Sequence, residues 1–250
     1  MVKSQWLNCG NVKTFLRPRQ RKFTVSTRPP AKVKLAEMDI AGGLIQYLML
    51  VALLTFHEFG HAWTAWKCGD DTARLQGRVS LNPLVHIDPI GTVLFPLLMI
   101  FLPFGASRFM IGWAKPVPVN PYNLRNKNFD DVLVTMAGPG MNLILAVLLI
   151  AAARAGLFFH SFGLADYCVQ AATLSLFLCF FNLIPIPPLD GSHLLRIATG
   201  MTWETYMSFA RVGFILVIIV LQIPPVRIML AQAVYGTLGL LDNIFGLPFQ

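Results

Sequence analysis

The sequence predicts an all-α, polytopic membrane protein: about five to six transmembrane helices, with a re-entrant loop and a short β-hairpin between the first and the next core helix. Three observations carry this. Hydrophobic residues make up 55% of the 250-residue chain and charged residues only 13%, where a soluble domain carries about 25% charged residues. The apolar residues fall in runs close to the ~20 that a helix needs to cross a bilayer. The net charge of +8 sits at one end: nine of the 20 Lys/Arg and no Asp/Glu lie in residues 1–36, leaving eleven basic against 12 acidic side chains beyond them. A basic tail on a near-neutral apolar body argues for the lipid bilayer as a partner and little for nucleic acid.

Residues 1–37 form a basic segment rich in Lys, Arg, Ser, Thr and Pro, with a Pro29-Pro30 break. It lacks the apolar core of about 7–15 residues that a secretory signal needs. Three readings stay open: a disordered tail, an organelle transit peptide, or an extension upstream of a start at Met38. Residues 38–205 are read as the membrane core and 206–250 as C-terminal membrane helices.

Within the core, residues 40–66 are long enough to span and contain no Lys, Arg or Asp and a single Glu. Residues 67–90 are polar and turn-rich, with Gly69-Asp70-Asp71 and Asn82-Pro83, and leave the bilayer. Residues 91–107 are uncharged but broken by Pro96 and Pro103. Met110–Val119 alternates and carries Pro116 and Pro118, which predicts an edge strand or hairpin. Residues 132–153 and 167–189 are uncharged and span, the second ending in a proline-rich stretch that unwinds. Residues 206–223 predict another helix despite Arg211. Residues 228–241 are apolar but short, and spanning, re-entrant and interfacial placements all remain open. Cys9, Cys68, Cys168 and Cys179 show no C-x-x-C spacing and predict free thiols.

The charges predict the topology. Residues 67–127 carry seven Lys/Arg and the loop 154–166 carries only Arg154, so the positive-inside rule places 67–127 on the cytoplasm-equivalent side. The first helix then runs inward, 132–153 outward and 167–189 inward again. For this parity, 91–119 must dip in and return, which is tolerated where such a loop is buried in protein or lines a wet cavity. The basic tail conflicts with this orientation unless it is removed.

One motif carries chemistry. His57-Glu58-Phe59-Gly60-His61 reads H-E-x-x-H, and on a helix positions i and i+4 share a face. Two imidazoles at that spacing can hold one Zn²⁺, and Glu58 stands where a general base for an activated water is needed. Catalytic zinc takes three protein ligands and keeps one position open. Asp190 is the leading third ligand, because an acid at the end of an apolar membrane segment is costly and marks function; its rival role is an N-cap for the helix that follows. His86 and Asp88 are alternative ligands or turn formers, His193 and His86 second-sphere candidates, and Asn142 and Asn182 candidates for bonding exposed peptide groups of a substrate or for packing and capping their own helices.

Three stretches together resemble the site-2 protease family of intramembrane zinc metalloproteases. His57-Glu58-x-x-His61 is similar to its zinc helix, Ala137-Gly138-Pro139-Gly140-Met141-Asn142 to the A-G-P-x-x-N start of its next core helix, and Asn182-x-x-Pro185-x-Pro187-Pro188-Leu189-Asp190-Gly191 to its N-x-x-P-x-x-P-L-D-G element. Ser192 departs from the second glycine of many members. The stretch Arg78–Thr92 resembles the compact branch without a PDZ domain, and no segment is long and polar enough to be such an adaptor. The resemblance implies one Zn²⁺ per chain on His57, His61 and Asp190, Glu58 as the base, and cleavage of single-pass or other membrane protein substrates in a bacterial-type plasma membrane, or in an organelle membrane if residues 1–36 are a transit peptide. A silent relative that binds membrane segments, or a transporter with a metal site, are the alternatives; the intact motif counts against the first and the lack of an internal repeat against the second.

Overall fold

The structure is a computed structural model that describes residues 40–101, 110 and 112–246. The basic tail lies outside the described residues. The helices are α1 (Ile40–Lys67), α2 (Thr72–Leu75), α3 (Phe95–Phe101), α4 (Lys127–Phe158), α5 (Phe162–Asn182), α6 (Gly191–Thr199), α7 (Trp203–Leu221) and α8 (Pro224–Phe245), and there is no strand among the described residues. Five of them, α1, α4, α5, α7 and α8, are long and apolar enough to cross a membrane. The chain is an integral membrane protein.

α1 has no internal proline and ends where Gly69 takes a positive φ of 108°. Asp70 N there donates to Ala65 O at 2.9 Å, closing the last turn in the manner of a glycine C-cap. The centre of the bundle is α4, which packs most extensively on α5 and α1. Small residues allow these approaches, as expected where lipid removes the hydrophobic drive between helices. At Gly60, a Cβ would meet Ala137 O of α4 at 2.7 Å. Ala146, Ile150, Ala172 and Leu176 form a buried seam between α4 and α5, extended by Val234, Leu238 and Leu241 of α8. At 22 residues α8 is long and apolar enough to span; Arg227 near one end and Asp242 near the other shortened its uncharged run in the sequence.

The expected dip between α1 and α4 is present. A π-helical turn at Pro89–Leu94 leads into α3, and Ile100 of α3 lies against Gly43, near the start of α1. The returning segment passes Leu50 at Gly112 and reaches Glu58 at Val117. The chain thus climbs beside α1 and comes back along it.

The expected hairpin is not formed among the described residues. Residues 112–120 run as one extended segment without a ladder. Pro116 and Pro118 have no N–H to give, and three of the remaining donors go to three separate acceptors: Trp113 N to Gly91 O at 3.2 Å, Lys115 N to His86 O at 2.9 Å and Val117 N to the Glu58 carboxylate at 3.0 Å. The alternation in this stretch reflects alternate residues facing the 78–92 loop.

Asp70, just past α1, ties down the far end of the extended segment: it accepts from Thr72, Asn120 N at 2.7 Å and Asn123 Nδ2 at 2.9 Å. Burial works to raise its pKa, but these hydrogen bonds hold the carboxyl below its ordinary value. On the same end of the bundle Arg196 of α6 pairs with the buried Asp131 of α4.

Candidate metal centre

His57 and His61 are 4% and 8% exposed, so a membrane-length helix holds two imidazoles out of both water and lipid. Their Nε2 atoms lie 3.2 Å apart. Asp190 Oδ2 lies 3.2 Å from His57 Nε2 and 3.4 Å from His61 Nε2. The unwound segment 183–190 delivers this carboxylate, and Asp190, although at the N-cap position of α6, makes no capping bond with its side chain. The third-ligand placement is the one the geometry serves.

Each imidazole is oriented from behind. His61 Nδ1 donates to Val134 O at 2.7 Å. The acceptor lies five residues before Pro139, whose missing N–H leaves the adjacent Thr135 carbonyl without its usual α4 ladder donor. His57 Nδ1 faces the amide of Asn142 at 3.2 Å. Asn142 is fully buried, and its Oδ1 is left without a partner when Nδ2 faces the ring. A half-turn of the amide puts Oδ1 on His57 Nδ1–H, the tautomer that leaves Nε2 unprotonated. With both Nδ1 atoms protonated, both Nε2 lone pairs face Asp190 Oδ2, which is itself buried with no hydrogen-bond donor. Two nitrogens and a carboxylate oxygen converging without protons between them are the donor set for one zinc ion.

The space behind the pair is made by Gly138. A Cβ there would stand 2.2 Å from His61 Nε2 and 2.7 Å from His57 Cε1. Sequence reasoning placed Gly138 in a motif without giving it a task; a small residue opposite the histidines on the next core helix is the signal that was available.

Glu58, one residue on from His57, turns away from α4 and accepts from Val117 N at 3.0 Å. The other candidates make contacts of their own. His86 is 2% exposed, with Nε2 donating to Ser80 O at 2.9 Å; burial pushes its pKa down, the Ser80 bond working against that. Asp88 accepts from Ile90 N and Gly91 N, the turn-forming role rather than a ligand's. The His193 ring lies tilted against Tyr206, with centroids 5.1 Å apart and an interplanar angle of 52°. Asn182 donates to Leu178 O of its own helix at 2.9 Å, and Asn142 serves His57 rather than an open cleft. Cys68, Cys168 and Cys179 are free.

A histidine–carboxylate metal site with a second carboxylate beside it, set among membrane-spanning helices, is the equipment of a membrane-integral metallohydrolase. The profile of peptidase family M50 matches residues 45–161 and 158–221. "Putative zinc metalloprotease YwhC" of Bacillus subtilis is 38% identical over 191 residues, covering 73% of this chain and 82% of that protein. "Putative zinc metalloprotease Rip2" of Mycolicibacterium smegmatis is 31% identical over 220 residues, covering 83% and 75%. The protein of that name in Mycobacterium tuberculosis H37Rv is 34% identical over 172 residues, covering 66% and 59%. No solved structure matches. The chain belongs to peptidase family M50, the site-2 protease family, and is a metallopeptidase.

Proposed function

We propose that this zinc metalloprotease cuts peptide bonds of membrane-embedded proteins, single-pass chains among them, with His57, His61 and Asp190 as metal ligands and Glu58 as general base. The observation that carries the reading is the convergence of the two Nε2 atoms and Asp190 Oδ2 within 4.8 Å of one another inside a membrane-length helix bundle, next to Glu58. His57 lies ten residues before the end of α1, about 15 Å along the helix axis, a depth suited to a substrate that is itself in the bilayer.

When bound, zinc supplies Lewis acidity, lowering the pKa of a coordinated water towards about 7 and polarising the scissile carbonyl. The chain's residues do the rest. Val134 O and Asn142 fix the tautomers that present both Nε2 lone pairs. Glu58 accepts the proton of the attacking water and returns it to the leaving amide nitrogen. A helical substrate hides its amides, so it must unwind to be cut. The extended 112–120 segment runs beside Glu58 and is the natural guide for an unwound stretch, while the unwound 183–190 segment and the polar 67–90 loop bring water.

The test is cleavage in liposomes that hold the purified protein and a single-pass substrate. The expected result is a cut within or beside the substrate's membrane segment, lost on chelation and regained with Zn²⁺. Zinc-loaded protein that binds the substrate and leaves it whole would make this a silent segment-binding relative; metal flux across the vesicle without cleavage would make it a transporter.

A further inference from the structure

Arg78 is 5% exposed and, among the described residues, pairs with no carboxylate. A buried guanidinium without a counter-charge is costly, so its other contacts explain its presence. Nη2 donates to Lys115 O at 2.5 Å and to Pro116 O at 3.3 Å. From the loop side, His86 O accepts from Lys115 N at 2.9 Å. The peptide units on either side of Pro116 are therefore gripped by one guanidinium, and the unit before them by one carbonyl. The next residue, Val117, is flanked by prolines, so its N–H is the only backbone donor in 116–118, and it goes to Glu58. Burial pushes the pKa of Arg78 down from its ordinary value while the nearby Glu58 charge works to raise it, so the guanidinium and the carboxylate feel one another without touching.

We propose that Arg78 is a positioning residue for the general base: by clamping the Lys115 and Pro116 carbonyls it aims the Val117 N–H at Glu58 and fixes where that carboxylate stands. The inference rests on the reading of Glu58 as the base. A clamp that served only folding would influence stability, with no preference for the turnover step. Lysine is not expected to replace it fully: both contacts come from Nη2, which the planar guanidinium holds in place, whereas an ammonium swings on a flexible stem.

The experiment uses the full chain in nanodiscs, with amide hydrogen exchange over 112–120, metal content, and kcat and KM on a single-pass substrate. Arg78→Gln is expected to speed exchange over 112–120, keep its metal, and lower kcat about tenfold or more with KM little changed. Arg78→Lys is expected to fall between. Val117→Pro removes the N–H without touching Arg78, and in that background Arg78→Gln is expected to cost nothing further. Unchanged exchange, or kcat losses that multiply in the double variant, would overturn the proposal. If Arg78→Gln does not fold, the exchange of Arg78→Lys decides it, faster than wild type in favour and equal against. Exchange is read without turnover, so an inactive wild type would sink the protease reading and leave this inference to the exchange result.

Discussion

The two faces of α1 that meet at the reaction centre are held by different means. His57 and His61 face α4, where a glycine leaves room for them and α4 groups hold both rings from behind. Glu58 is turned about 100° round the helix and faces the extended segment, where a single backbone N–H meets it. The metal side is shaped by close packing, which tolerates little change. The base side is shaped by polar bonds to a segment outside any helix, which is where movement is cheapest. The contrast teaches that metal binding and catalysis can be separated by substitution although their residues are neighbours in sequence.

Four substitutions break or sharpen this contrast. Asp190→Ala on the packed side removes the carboxylate ligand, and elemental analysis is expected to fall from one zinc per chain to nearly none, with cleavage lost. Gly138→Ala inserts a methyl where the imidazoles stand, and zinc content is expected to drop with it, activity falling with occupancy. Full occupancy in Gly138→Ala would show that the packed side is more pliable than argued. Asn142→Ala leaves the ligands in place but removes the partner of His57 Nδ1, and a competitive chelator titration is expected to show about 10–100-fold weaker metal binding.

The smallest effect is on the far end of the extended segment. Asp70→Asn weakens the bonds to Thr72, Asn120 and Asn123 and is expected to cost about 1–3 kcal/mol of stability, read by thermal melting with zinc content unchanged. Because the folded carboxyl titrates below its ordinary value, its contribution is fully present above the unfolded pKa of about 4 and is lost as pH falls through the lower folded value. A melting temperature that varied with acid pH equally in wild type and Asp70→Asn would remove Asp70 from that role.

The metal side was legible in the sequence because its information is local. The i, i+4 spacing of His57 and His61 fixes their common face, and a carboxylate at the end of an apolar run is anomalous wherever it falls. The partners of those ligands were not legible. Asn142 was read as a group for the substrate or for packing and capping its own helix, and only the register of α4 against α1 shows it behind His57. Met110–Val119 was read as a strand because its alternation is local, while the acceptors that break up the ladder lie 22 to 59 residues away, at Gly91, His86 and Glu58. The same holds for α8, whose uncharged window is short because Arg227 and Asp242 lie near its ends, although the helix continues through both.

In the proposed mechanism Glu58 moves protons and does not hold the metal. That role is tested most directly by purified Glu58→Gln, assayed together for zinc and for cleavage of a membrane-spanning substrate. The expected result is one zinc per chain, as in the wild type, with cleavage reduced at least about 10²-fold, the lower end of what a general base contributes. Cleavage at the wild-type rate, or loss of zinc alongside activity, would contradict it.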